Sequence, residues 1–347
     1  MTPHGVCRRA SIPGSAIVRV VTASRERRTP RNSLLSTFSG VVLLLLIARF
    51  VLLQCRASDE RFPPLTPSDV AHGGASAAPN AGTESAALRG SEKSISSSIH
   101  AALGVPRDGD PSDEYFIDER AFVLSYSPQK RVPNWVAWQL DRKHLGHTHR
   151  RDDFRADLSL PARFYRVKEG DYLHSGYDRG HLCPSADRKD SAEDNSQTFL
   201  FTNIVPQVHE LNAGPWERLE SYARARVQGG ALLYIVAGGV FSAPFPTIGN
   251  GVAVPAANFK IMVVLSPGQG VADVTERTEL LAVLMPNQSG VGAHEWSEYV
   301  TTIDAIEQAS GYDFLTAVPE RIQRVIEARA PAAAQPRPGA RVGSGAR

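Results

Sequence analysis

Short apolar runs that read as strands outnumber helical patterns in this chain and do not alternate with them one for one. Residues 121–126 and 134–140 read as hairpin strands split by Pro128 and Pro133. Segments 198–205, 232–237, 259–265 and 280–284 read as further, largely buried strands. Two helices stand out against them. Segment 215–226 begins on a proline suited to a first helical turn and lines Trp216, Leu219 and Ala223 along one face. A later helix over 295–309 stops near Gly311. A doubly wound sheet needs strict strand–helix alternation, so the pattern predicts an α+β fold instead. Its expected form is a mixed, mainly antiparallel central sheet flanked by helices.

The patterned part covers 105–329, which reads as one domain without internal repeats. Upstream, the leader 1–36 carries Arg8, Arg9, Arg19, Arg25, Arg27, Arg28 and Arg31, with Glu26 as its only acid. Segment 37–55 follows, with an apolar run over 41–48 that Arg49 interrupts. Basic residues before a greasy stretch are the layout of a signal peptide or membrane anchor. The chain is therefore expected to be exported or held on a membrane through 37–54, in the periplasm or outside the cell. An arginine-rich, acid-poor leader also suits a mitochondrial presequence, which is the alternative address behind export or anchoring. Segment 56–104 is rich in Ser, Ala, Gly and Pro, buries too little apolar area to order itself, and reads as a flexible linker. The tail 330–347 reads as disordered for the same reason.

Charge and cysteines narrow the chemistry. A net charge of +2 over 347 residues excludes a general polycation, so any contact with nucleic acid must come from local positive charge or a metal. Three cysteines, two of them in or beside the leader, exclude a disulfide-stapled scaffold. Cys183, alone in its domain, reads as a small semi-buried filler.

The chemistry concentrates in 175–184, around Tyr177-Asp178-Arg179-Gly180-His181. Histidine takes a proton from water near neutral pH, arginine holds phosphate, and glycine lets backbone approach closely. Alone, Asp178-Arg179-Gly180-His181 is equally well a turn with an ion pair and a satisfied histidine. Downstream, Asn212 stands just before the 215–226 helix and Glu220 projects from it. An amide oxygen suits Mg²⁺, and a carboxylate nearby can orient waters. Glu220 and Arg224 are also i,i+4 neighbours, the spacing of a plain surface ion pair.

Taken in order, these segments resemble the DNA/RNA non-specific endonucleases of the ββα-metal superfamily, which include exported bacterial nucleases and mitochondrial endonuclease G. The likeness takes in 132–140, 150–157, 176–188, 203–220, 233–238 and 310–315. It implies a ββα-metal catalytic motif and a nuclease domain over 105–329. It further implies Mg²⁺-dependent hydrolysis of DNA and RNA to 5′-phosphate products, with Mn²⁺ as a substitute ion. His181 matches the general base, Asn212 the direct metal ligand, and Glu220 the acid that holds the ion's waters. Arg150, chosen over Arg151 by its offset from Phe154, matches the arginine that stabilises the transition state. Arg179, Asn203, Arg224 and Asp178 match supporting positions.

The remaining polar residues read blandly. His144, His147 and His149 form a polar loop before Arg150, while His174, His209 and His294 are surface or loop histidines. Gly238-Gly239 is a backbone turn, and Trp135 and Trp138 pack the core. The competing function is a catalytically inactive nuclease-fold protein that binds nucleic acid or serves as a membrane-anchored interaction platform. Retention of His181, Asn212 and Glu220 together argues against it.

Overall fold

The structure, a computed structural model, describes residues 93–330. The basic leader, the apolar segment, most of the linker and the tail beyond Ala330 lie outside the described residues. Seven strands form one antiparallel sheet in the order β1-β2-β3-β6-β9-β10-β11. Their ranges are β1 Tyr115–Asp118, β2 Val123–Ser127, β3 Val132–Leu140, β6 Leu232–Val240, β9 Ala257–Leu265, β10 Glu279–Pro286 and β11 Val300–Thr301. A separate hairpin pairs β4 Asp178–His181 with β5 Ile204–Gln207, and a second small one pairs β7 Thr247–Ile248 with β8 Val252–Ala253. Among the described residues the α-helices of six or more residues are α1 Ala192–Gln197, α2 Glu217–Gln228, α3 Ile303–Ser310 and α4 Glu320–Ile326. The architecture is the expected α+β one.

All nine residues of β3 are buried, because the sheet is covered on both faces. The two-residue side-chain period then sends Trp135 and Trp138 to opposite sides. Trp135 packs with Phe259, Ile303, Ile306 and Ile322, under α3 and α4. Trp138 packs with Leu182, Trp216, Leu219 and Ala223, under α2 and the β4–β5 hairpin. The second face is the one that positions the polar residues singled out above.

Several elements differ from the sequence reading, each for a local reason. Pro133 lies inside β3 rather than between strands, opposite Tyr126, where the register with β2 shifts and no ladder donor is required. Segment 198–205 is not one strand. Thr198 ends α1, Phe201–Asn203 form a 3₁₀ turn, and β5 starts only at Ile204. There the Asn203 amide donates to the carbonyls of Cys183 (2.8 Å) and Thr198 (2.9 Å), taking the place of a strand partner. The 295–309 helix is likewise divided. Trp296–Tyr299 make a 3₁₀ turn, β11 pairs with β10, and α3 begins only after Thr302, whose hydroxyl accepts from the Ala305 amide. Gly311, at φ 83°, ends α3 as expected. Gly238-Gly239 is no turn: β6 runs through both residues, and a Cβ on Gly238 would stand 2.5 Å from the Asn134 carbonyl. His144 is buried in a 3₁₀ turn rather than exposed in a loop.

The packed chain also begins upstream of residue 105. Ile95, Ala101 and Leu103 are buried in the Trp135 cluster. His100 ties this stretch to the sheet by accepting from the Gln139 amide (3.1 Å) and facing the Arg120 carbonyl (3.0 Å). Composition assigned 93–104 to the linker because its few apolar residues are scattered, yet Ile95, Ala101 and Leu103 find the sheet while Ile99 stays exposed.

Candidate active site

The order of residues in β4 explains how the hairpin divides its work. Alternation places Arg179 and His181 on one side of the strand and Asp178 and Gly180 on the other. On the second side Gln207 crosses the hairpin so closely that a Cβ on Gly180 would sit 2.2 Å from its Oε1. A larger residue would clash with the Gln207 side chain and force it to move.

On the first side His181 sits between two aromatic rings. Its imidazole lies 5.4 Å from the Phe154 ring and 5.0 Å from Phe199, the latter edge-on. The Arg179 guanidinium lies 4.1 Å from the centroid of Phe154, and that of Arg150 lies 4.8 Å from Phe199. Each arginine therefore reaches the histidine's surroundings across a ring. Burial, then Arg150, then Arg179, push the His181 pKa down to about 3. The imidazole is neutral, and its Nε2 is buried with no protein partner. Both arginines are held by exposed carboxylates. Arg150 donates to Asp152 and to the Ser185 hydroxyl (3.0 Å), and Arg179 pairs with Glu169. Such exposed pairs are weak and give way readily to a phosphate.

On the other side of β4, the Asp178 carboxylate accepts from the Asn212 amide at 2.9 Å and contacts His209 Nδ1 at 2.8 Å through the same oxygen. A carboxylate only accepts, so the amide nitrogen of Asn212 must face Asp178 and its Oδ1 must face away. His209, read from sequence as an ordinary surface residue, is exposed but belongs to this cluster.

Asn212 opens a π-helical turn, Asn212–Trp216, that leads into α2. The turn breaks at Gly214 (φ −112°, ψ −119°), which precedes Pro215 and is kept out of the helical region by the proline ring. Trp216 then donates its indole N–H to the His181 carbonyl at 3.2 Å, stapling the helix start to β4.

Glu220 follows in the first turn of α2 with its side chain only 11% exposed, so its neighbours are more than surface partners. Lys260 Nζ approaches Glu220 Oε1 to 3.2 Å, and Arg224 stands 4.0 Å from the other oxygen. Burial raises the Glu220 pKa, while Lys260 opposes that rise, Asp187 adds to it and Arg224 opposes it. Asp187 joins the network by accepting from Arg224 (3.3 Å) and from the Trp138 indole (3.1 Å). Lys260, 1% exposed, has its ammonium 4.2 Å from the Trp216 ring centroid. Sequence reading missed Lys260 and Asp187. The signal for Lys260 was a lysine inside the apolar run 259–265, which demands a buried counter-charge.

The donor set fits a hard divalent ion. The free Asn212 Oδ1 is a neutral oxygen ligand, and Glu220 is a carboxylate already balanced by Lys260 and Arg224. Asn203 takes no part in this set: fully buried, it also accepts from the Cys183 amide at 3.0 Å and pins the end of β4.

An antiparallel hairpin and helix hung on one face of a sheet, presenting His181 and Asn212, define a nuclease of the ββα-metal type. Residues 102–321 match the family model for DNA/RNA non-specific endonuclease, and the chain belongs to that family. The family is one of metal-dependent nucleases. A nuclease of Nostoc sp. is 44% identical over 243 residues, covering 69% of this chain and 88% of that protein. Mitochondrial endonuclease G of Homo sapiens is 34% identical over 208 residues, covering 56% of this chain and 67% of that protein. A solved structure of the EndoG/EndoGI complex aligns with a TM-score of 0.57 and 25% identity, covering 67% of this chain and 96% of that one. Among the described residues no helix is long and apolar enough to cross a membrane.

Proposed function

We propose that the chain is a Mg²⁺-dependent endonuclease, accepting Mn²⁺ in its place, that hydrolyses phosphodiester bonds of both DNA and RNA to 5′-phosphate products. The observation that carries this reading is the neutral His181 imidazole, flanked across two rings by Arg150 and Arg179. A scissile phosphate drawn to the two arginines exchanges their exposed carboxylate partners for its own oxygens. Water attacking phosphorus gives its proton to the His181 imidazole. The bond from phosphorus to the 3′ oxygen breaks, so the phosphate stays on the 5′ side and the 3′ oxygen takes a proton from water. Arg150 and Arg179 neutralise charge growing on the phosphate. Asn212 Oδ1 would hold the divalent ion and Glu220 would hold waters around it; when bound, the ion supplies further charge neutralisation at the phosphate. The charged groups address phosphate rather than base edges, so cleavage is nearly blind to sequence. The leader supports an address outside the cytosol, and the mitochondrial relatives favour the mitochondrial alternative.

The test uses the full chain with supercoiled plasmid and with RNA, in Mg²⁺ or in EDTA. Both substrates should be degraded in Mg²⁺ and neither in EDTA, and the fragments should carry ligatable 5′-phosphates. Cleavage that persists in EDTA, or fragments ending in 3′-phosphate, would overturn the reading.

Lys260 gives a sharper prediction within the same site. Lys260→Met keeps the volume but leaves Glu220 with only the more distant Arg224. Turnover should fall on the order of 10- to 100-fold, the usual cost of losing a group that orients a metal site. The Mg²⁺ concentration for half-maximal rate should rise with it, which simple loss of packing would not cause. An unchanged Mg²⁺ dependence would assign Lys260 to the core alone.

A further inference from the structure

A second group of carboxylates lies on the sheet face opposite the nuclease centre. Asp304 and Glu307 stand three residues apart on α3, which packs through Ile303 and Ile306 into the Trp135 cluster. Glu327 caps the C-terminal end of α4, and its carbonyl accepts from the Asp304 amide at 3.3 Å. One carboxylate oxygen from each of the three residues lies within 4.8 Å of the others. Acidic side chains converge on many protein surfaces, but Glu327 is not on the surface. It is 6% exposed, and its Oε1 is shielded from solvent without any hydrogen-bond partner.

A buried carboxylate oxygen without a donor is costly unless something positive meets it. The charges that bear on Glu327 are Glu307, Asp313 and Asp304, all acidic. Burial first, and then these neighbours, push its pKa up to about 8. Burial likewise raises Glu307, with Asp313 and Asp304 adding to the effect. Glu307 spends one oxygen on the Phe314 amide (2.9 Å), which leaves its second oxygen available. Three carboxylates meeting without a cation need either a shared proton or a metal ion. The ligand set is all oxygen, with neither sulfur nor imidazole, so it selects a hard ion. Carboxylates on two separate helices suit Ca²⁺, which accepts variable geometry, better than Mg²⁺, which demands a near-ideal octahedron.

We propose that Asp304, Glu307 and Glu327 form a binding site for a divalent cation of the calcium class, which clamps α3 to α4 on the face away from the catalytic residues. The site would set the stability of the domain without entering the cleavage reaction.

Thermal unfolding of the EDTA-stripped full chain, titrated with CaCl₂, tests this. Wild type and Asn212→Ala should both gain about 5 °C or more in Tm at a hundredfold excess of Ca²⁺ over its Kd. Glu327→Gln should lose that gain while still cleaving plasmid in Mg²⁺. Without Ca²⁺ its Tm should equal or exceed that of wild type, because an unpaired buried charge has gone. A Ca²⁺ response that is missing in wild type, absent in Asn212→Ala or undiminished in Glu327→Gln would overturn the proposal. So would a metal-free stability that simply drops as pH rises through 8 with no effect of Ca²⁺, since the carboxyls would then share a proton.

Discussion

Replacing His181 with alanine should slow cleavage on the order of 10²- to 10⁴-fold, the range a general base contributes, while the chain stays folded by circular dichroism. The side chain is the one neutral base beside the arginine pair, and its Nε2 has no structural bond to lose. Persistence of near-native rates in this variant would remove the histidine from the mechanism. The pH profile carries a second signature. An unperturbed histidine would switch the enzyme off below about pH 6.5. With its pKa held near 3, His181 stays deprotonated in the free enzyme throughout that range. The plot of kcat/KM against pH should therefore show no acid limb from His181 between pH 5 and 7. The kcat profile behaves differently, because a phosphate bound between Arg150 and Arg179 cancels the part of the depression those arginines cause. Its acid limb should lie at higher pH than that of kcat/KM.

Asn212→Ala should cost on the order of 10²-fold or more in turnover and should not be rescued by raising Mg²⁺ to tens of millimolar. The amide contributes little to packing, so melting should hardly change. Asp178→Ala tests the orientation argument separately. Without its acceptor, the Asn212 amide is free to turn its nitrogen toward the ion, and the Mg²⁺ needed for half-maximal rate should rise. An Asn212→Ala enzyme that cuts normally would show that the ion is held elsewhere.

The parts of this site most legible in the sequence lie in two continuous stretches, while the roles of their residues, and Arg150 itself, come from the family resemblance. Asp178, Arg179, Gly180 and His181 share a strand, and Asn212 through Arg224 share a helix and the turn before it, so spacing along the chain mirrors spacing in the fold. What sequence reading missed comes from elsewhere. Lys260 reaches Glu220 from β9, and Phe199 reaches His181 from the turn after α1; neither contact has a local period to announce it. Strand identity was legible where runs are apolar on both faces, as in β3, β6 and β9. Reading failed over the strand expected at 198–205 and the helix expected at 295–309, where one side chain, Asn203 or Thr302, redirects the backbone through its own hydrogen bonds. The packed stretch 93–104 was unreadable for a related reason: three small contacts, Ile95, Ala101 and Leu103, do not lift its average composition above that of a tether.

Cys183 lies fully buried behind His181, its thiol pushed up to about 12 by the surrounding apolar packing. Oxidants and alkylating agents attack the thiolate, which this cysteine never offers. As the only cysteine over 105–329, it cannot form a disulfide within the domain, so the packing of the hairpin depends on none.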